Sequence, residues 1–405
     1  MRGFRRRSSV EEVVALIGRR VEPLEAESVP LSQAAGRVLA AEILAAAPVP
    51  PFDRAAMDGY AVRGEETFGA DLYNPAVFQI VGRSRPGLAF QGVVGPGQAA
   101  EIATGAPLPD GADAVVKVEA TEAEGSSVRV VEPTPPGRNV GRIGEDIAAG
   151  TVVLPAGRIL RPQDLGVLSA LGYPAVPATR RPVVAVIVTG DELLPAGSPS
   201  RGHRIADMNS VMLAALIARD GGIARVVGPL PDDRETLRAA IVEAAATADA
   251  VLISGGSSTG PEDHAPGLVA ELGELVAHGV ALRPASPAGL GFLGRVPAVL
   301  LPGNPVSCLC AYDFFAGPVV RLLGHRPAAW PYRSVERPMA HKLASAIGRV
   351  DYARVRIGPD GVEPLAISGA SILSSTTRAD GFVVVPADLE GYAAGASVVV
   401  WLYDG

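Results

Sequence analysis

The hydrophobic rhythm of the chain changes several times along its length. Near the start, Val10, Val13, Val14, Leu16 and Ile17 recur at helical spacing. Ser8 and Glu11 stand at capping-box spacing around the beginning of that run. The pattern predicts that residues 1–45 are helical. From 48 to 136 the runs shorten and become β-rich, as at 76–81 and 127–131, with Pro and Gly between them. Residues 137–177 return to mixed helix and loop, and PQDLGVLSALG (162–172) reads as a short amphipathic helix. After Arg181 the order becomes regular. PVVAVIV (182–188) is a continuous apolar run of strand length. Asn209 is placed to cap a helix with Val211, Met212, Leu213, Leu216 and Ile217 on one face, ending at Gly221. A strand is expected at 224–227. Asp232 and Glu235 then have capping-box spacing before a helix over 237–246, and ADAVLIS (248–254) is a third strand. Further strands are expected at 275–283 and 297–301. Asn304 and Pro305 occupy the cap and first-turn positions of a last helix through Leu323. Alternating strands and helices with continuously apolar strands imply a doubly wound, largely parallel sheet. Beyond 326 the short alternating runs at 352–357, 381–386 and 397–402 read as a small all-β domain.

Composition narrows the picture. A chain of 405 residues is long enough for two to four domains, at ~100–200 residues each. Hydrophobic residues are 48% and charged residues 20%, which suits a large core. A net charge of -7 argues against a nucleic-acid-coating role, so no nucleic-acid partner is expected. Cys308 and Cys310, the two cysteines, form neither a disulfide framework nor a metal-type pattern, and they read as core on an apolar helix. The five histidines, 203, 264, 278, 325 and 341, lack ligand spacing, so a zinc centre is not expected. The basic opening MRGFRRRSSV runs into charged EEVV and does not read as a secretory signal. No uninterrupted apolar run reaches the ~18 residues of a membrane span. The expectation is a cytoplasmic chain of a reducing compartment with no membrane partner. Lys117 and Lys342 are the only lysines among 36 basic residues, so any single arginine is first a surface charge.

Three strand ends carry unusual loops. The first strand runs into Thr189, Gly190, Asp191 and Glu192. ADAVLIS runs into GGSSTGPED (255–263), and PAVLL runs into Pro302, Gly303, Asn304 and Pro305 at a helix start. Glycines let backbone N–H groups approach an anion, and hydroxyls and a helix N-terminus add donors. Any one such loop alone reads first as a tight turn, since short glycine motifs recur by chance. Three of them at strand ends of one domain, where open α/β sheets bind ligands, point to a phosphate-cradling crevice. Neither a Walker A sequence nor GxGxxG is present there, which argues against a nucleoside triphosphatase or a dinucleotide dehydrogenase. Glu192 and Asp263 stand at the crevice edge and suit Mg²⁺, which takes one or two carboxylates plus substrate oxygens and waters. Two turn-dense stretches outside this domain, 51–61 and 103–114, read by composition as loops.

Taken together, PPFDRAAMDGYAV (50–62), IATGAPLPDGADAVV (102–116), GEDI (144–147), VTGDEL (188–193), ISGGSSTGPEDH (253–264), LLPGNPVS (300–307) and SGASILSSTTRADGFVVVP (368–386) resemble the molybdopterin molybdenumtransferase family, whose animal relative is the gephyrin E domain. The motifs follow the family order and span nearly the whole chain. The resemblance implies a multidomain α/β fold in four parts. These are a helical and extended N-terminal domain (1–47 and 137–178), a β-rich insertion (48–136), a three-layer α/β/α domain (179–325) and a C-terminal β-barrel-like domain (326–405). It implies an enzyme that inserts molybdenum from molybdate into adenylylated molybdopterin with Mg²⁺ and releases AMP. It further implies a homodimer with a shared active site. The molybdopterin adenylyltransferase and recipient molybdoenzymes would be its partners. Carried over by motif, Asp58 and Thr104 would come from the insertion. Asp146, Glu192 and Asp263 would act near the metal, molybdate or pyrophosphate, with Glu192 and Asp263 as metal ligands. Gly190, Ser254, Gly255, Gly256, Ser257, Ser258, Gly260, Arg283, Pro302, Gly303, Asn304 and Pro305 would line the pterin and phosphate pocket.

One stretch departs from the family. Where members carry a Lys-Pro-Gly-Lys-Pro-like sequence, this chain has Arg283-Pro284-Ala285-Ser286-Pro287. Arg283 keeps one positive charge and Ser286 removes the other. Arginine is also a planar fork where lysine is a point charge. The alternatives this leaves open are a non-catalytic molybdopterin carrier and a paralogue with altered oxyanion preference.

Overall fold

The computed structural model describes residues 7–258, 260, 263–366 and 369–403. Thr259, Pro261, Glu262 and Ser368, which belong to the motifs above, lie outside the described residues. The chain divides into two compact units, one of 1–28, 36–40 and 177–405 and the other of 29–35 and 41–176.

Helix α1 (Val10–Arg20) opens the larger unit. Ser9, rather than Ser8, closes its capping box. The Ser9 hydroxyl accepts from Glu12 N at 3.1 Å, and Glu12 Oε2 accepts from Ser9 N at 2.9 Å. The sequence Ser-Ser-Val-Glu-Glu allows both registers; burial of Val10, Val13 and Ile17 selects this one and leaves Val14 at the surface. The helical reading of 1–45 holds only for α1. Pro23 and Pro30 cannot continue a helix, and the chain turns extended at 26–30.

The smaller unit is built on a six-stranded sheet. Its strands are β1 (Gly59–Val62), β2 (Ala76–Ser84), β3 (Gln98–Ile102), β4 (Ala114–Lys117), β5 (Thr121–Glu124) and β6 (Ser127–Val130), in the order β4-β1-β3-β2-β6-β5. Alternation splits its apolar side chains between two faces. Tyr60, Val62, Phe78, Val116 and Val128 bury on one, and Ala61, Ile102 and Val115 on the other. Helix α2 (Pro162–Ala170) forms where the sequence predicts it, with Asp164 bonded back to Arg161 N at 2.9 Å.

In the larger unit a second six-stranded sheet comprises β7 (Val183–Thr189), β8 (Ile223–Leu230), β9 (Ala250–Ser254), β10 (Glu274–His278), β11 (Gly289–Leu293) and β12 (Val296–Leu301). Its order is β8-β7-β9-β12-β11-β10, with the first four strands parallel and β11 antiparallel to both its neighbours, β12 and β10. Val184, Val186 and Val188 face a core shared with α1, α3 (Asn209–Arg219) and the helix from Pro305 to Leu323. Ala185 and Ile187 face α4 (Arg234–Thr247) and α5 (Ala265–Leu272). The strand expected over 275–283 stops at His278. Gly279, at φ +84, turns the chain away, and β11, which the sequence reading missed, pairs back onto β10. Two caps also differ from expectation. Asn209 is the first residue of α3, and Asp207 caps it by accepting from Asn209 N and Ser210 N at 2.9 and 3.1 Å. Asp233 rather than Asp232 caps α4, accepting from Thr236 N at 2.8 Å.

The helix over Pro305–Leu323 runs as α6 (Pro305–Ala311), a π turn and α7 (Gly317–Leu323). Nineteen residues at mean hydropathy 1.4 are apolar enough to span a bilayer, but 94% of its apolar window is buried inside the fold. Cys308 and Cys310 sit in that core as free thiols. The C-terminal strands β13 (Ser334–Pro338), β14 (Val350–Gly358), β15 (Gly361–Ala366), β16 (Gly381–Val385) and β17 (Ser397–Leu402) run in the order β14-β16-β17-β13, and β15 pairs with β14. A bridge between Met339 and Val362 ties the end of β13 to β15.

Candidate functional site

Beyond the carboxyl ends of β7, β9 and β12 lies a cleft of about 520 Å³. Its placement follows from the topology, because parallel strands all deliver their loops to one edge. Two of those loops touch. At Gly255, φ is +99, and an added Cβ would stand 2.3 Å from the backbone oxygen of Thr189. Glycine therefore satisfies two constraints there, the backbone conformation and the approach of β9's loop to β7's end. The Thr189 hydroxyl donates to Asp232 Oδ1 at 2.7 Å, Asp232 N donates to Asp191 Oδ1 at 3.2 Å, and Asp191 N donates to Asp232 Oδ2 at 3.4 Å. Asp232 thus serves the cleft wall, which is why Asp233 takes over the helix cap.

The third loop is fixed by Asn209. Its Nδ2 donates to Ser254 Oγ at 2.9 Å and to Gly303 O at 2.8 Å. Asn304 stands in the cap position of α6 without a side-chain cap bond, and its Oδ1 accepts from Ser371 Oγ at 2.8 Å. Ser371 joins the cleft wall from the C-terminal part of the chain.

Most of the pocket residues expected from the sequence converge here. Gly190, Glu192, Ser254, Gly255, Gly256, Ser257, Ser258, Asp263, Pro302, Gly303, Asn304 and Pro305 all line the cleft. Gly260 is outside the lining, but its N–H donates to Asp263 Oδ2 at 2.6 Å and so shapes that loop. Arg283 is not in the lining. It forms a two-residue strand with Leu282 that pairs with Val350 and Asp351 of β14, and Pro287 reaches the cleft instead. Asp207, Asn209, Asp232 and Ser371 are wall residues that the sequence reading did not assign to the site. The sequence marks Asn209 and Asp232 only as helix caps, because a helix-start signal is local and a side chain's inward aim is not.

The cleft's charge is one-sided. Among the described residues, Glu192, Asp207, Asp232 and Asp263 contribute four carboxylates to the lining, and no lysine, arginine or histidine joins them. Among the described residues no three histidine, cysteine or acidic side chains form a ready metal cage.

Asp58, Thr104 and Asp146 lie in the smaller unit. Asp58 Oδ1 accepts from Thr104 N at 2.7 Å and Thr104 Oγ1 at 3.0 Å. The backbone donor first, and the hydroxyl second, hold the Asp58 carboxyl below its ordinary range. Asp58 lines a hollow of about 230 Å³ with Tyr60, Arg83 and Glu101. Asp146 is exposed on a loop held by its own N–H to Val49 O at 3.1 Å. Asp53 braces that loop by accepting from Ile143 N at 2.7 Å and Arg142 Nη1 at 2.8 Å.

An open α/β sheet with a ligand-sized cleft at its strand ends, joined to β-rich parts, defines a multidomain α/β protein with a small-molecule crevice. Three family profiles match the chain: the MoeA N-terminal region (domain I and II) over 8–172, the "Probable molybdopterin binding domain" over 185–322, and the MoeA C-terminal region (domain IV) over 336–403. The chain belongs to the MoeA family of molybdopterin molybdenumtransferases, enzymes of molybdenum cofactor biosynthesis. Molybdopterin molybdenumtransferase 2 of Mycobacterium tuberculosis is 37% identical over 403 residues, covering 96% of this chain and 98% of that one. The molybdopterin molybdenumtransferase of Bacillus subtilis is 31% identical, covering 97% and 93%. The crystal structure of the molybdopterin biosynthesis MoeA protein of Pyrococcus horikoshii superposes with a TM-score of 0.86 at 34% identity, covering 99% of this chain and 100% of that one.

Proposed function

We propose that the protein inserts molybdenum from molybdate into adenylylated molybdopterin in a Mg²⁺-dependent reaction that releases AMP. The observation that carries this reading is a cleft whose described lining has four carboxylates and no cationic side chain. A phosphoanhydride entering it would meet only like charge unless a cation came with it. The donor set suits Mg²⁺, which prefers one or two carboxylates and completes its shell with water and substrate oxygens rather than an all-protein cage. Glu192 and Asp263 would hold it. The bound ion would neutralise charge on the phosphoanhydride during transfer. The glycine loops at 190 and 255–256 bring backbone close to the substrate, and Ser257, Ser258 and Asn304 offer polar contacts. The same proposal takes Asp58, Thr104 and Asp146 as catalytic residues and the working form as a homodimer.

The deciding experiment incubates purified protein with adenylylated molybdopterin, molybdate and Mg²⁺ and measures AMP. Release that EDTA abolishes supports the proposal, and bound substrate without AMP release refutes it. The position of Arg283 outside the cleft lining, with serine at 286, favours a second reading of altered oxyanion preference. Complementation of a strain lacking its own molybdenum-inserting enzyme, with and without Ser286→Lys, separates the two.

A further inference from the structure

Asn209 stands at the first position of α3, 6% exposed, between two loops that wall the cleft. One amide group spends both its N–H donors on those loops, on Ser254 Oγ at the end of β9 and on Gly303 O after β12. The orientation of the amide is fixed by this geometry. Turned over, it would set Oδ1 against the Gly303 carbonyl, an acceptor against an acceptor. The carbonyl oxygen of the side chain gains nothing, because Oδ1 is buried and has no hydrogen-bond partner among the described residues. Buried polar atoms are nearly always satisfied, and one that is not calls for a reason other than stability.

We infer that Asn209 is a positioning residue, a staple that holds the β9 and β12 loops at the separation the substrate requires. It fixes the Ser254 hydroxyl and the Gly303 carbonyl, and through Gly303 the adjoining Asn304 and Pro305 at the start of α6. Asp207 supports the staple by accepting from Asn209 N, which sets where α3 begins and so where the amide points. The inference rests on the cleft being the pterin and phosphate site proposed above.

The test uses the full chain with Asn209→Ala and Asn209→Asp. Asp keeps the shape but cannot donate to the Gly303 carbonyl. The first readout needs no substrate. Backbone hydrogen exchange, followed by mass spectrometry in peptides covering 254–257 and 301–304, is expected to quicken about tenfold or more in both variants. The second is anaerobic titration with molybdopterin and Mg²⁺, where both variants are expected to raise Kd about tenfold to a hundredfold, as for a misplaced binding group. Asp is expected to do no better than Ala. Restoration by Asp would show that volume alone matters and would overturn the inference, as would unchanged exchange in both loops. Failure of the wild-type chain to bind molybdopterin sinks the proposed function, while the exchange result still decides the staple. If the Ala variant does not fold, Asn209→Ser is measured in its place under the same criteria.

Discussion

Gly255 offers the most quantitative handle on the site. Its φ of +99 lies where a Cβ is disfavoured, and that Cβ would sit 2.3 Å from the Thr189 oxygen. The left-handed conformation costs a non-glycine residue about 1–2 kcal/mol. Relieving the contact requires a backbone shift of about 1 Å in a packed wall, worth a further 1–3 kcal/mol or so. Gly255→Ala should therefore destabilise the larger unit by about 2–5 kcal/mol, or on the order of 5–15 °C in Tm. Gly348 supplies the control. Its φ is +92, yet no atom lies within 4 Å of an added Cβ. Gly348→Ala should cost only the conformational part, about 1–2 kcal/mol. Urea unfolding of both variants, compared by Cm at constant m, measures the difference. Equal losses would refute the claim that the β7 and β9 loops touch at Gly255. Molybdopterin binding by the Gly255 variant should also weaken, since the displaced loop forms the cleft wall.

Replacing one of the carboxylates proposed to hold Mg²⁺, as in Glu192→Gln or Asp263→Asn, should lower the proposed AMP release about 10²–10³-fold with little change in thermal stability. Asp164 is buried and takes hydrogen bonds from Arg158 first, then from Arg161, so its carboxyl is held far below the ordinary 3.8. The stability it lends is complete above that value and drains as pH falls below it, and Asp164→Ala should cost about 3 kcal/mol at pH 7, read by urea melts. Asp313 has the opposite sign. Burial pushes its carboxyl up to about 6, against the pull of Arg219. Its contribution is therefore full below pH 3.8 and is lost as pH rises through about 6. Asp313→Asn should flatten that part of the stability profile, and a wild-type slope persisting in the variant would contradict the assignment.

Much of the architecture was legible in the sequence for a physical reason. Strands buried on both faces must be continuously apolar, so 182–188 and 248–254 announce a parallel sheet. Glycine runs directly after such strands announce the crevice, because the topology sends every one of those loops to the same edge. The family motifs carried the assignments further than spacing could. Caps were less legible. Adjacent serines at 8 and 9 satisfy the same capping-box rule, and at 232 and 233 the box spacing to Glu235 points to Asp232 although Asp233 holds the cap. Tertiary packing chose, by burying Val10 and Val13 and by drawing Asp232 to the Thr189 hydroxyl. Arg283 shows the same limit: its charge is readable, but pairing with β14 decides that it stays out of the cleft lining.

The amino-acid sequence by itself determined which segments become strands and helices and which loops carry the glycines, because those depend on periodicity and local backbone freedom. Only the tertiary structure decided that four carboxylates would share a cleft with no cationic side chain among its described lining residues, and that the Asn209 amide would bridge two loops 45 and 94 residues away. Such contacts join groups remote along the chain, and a side chain's direction is fixed only once the elements carrying it are packed.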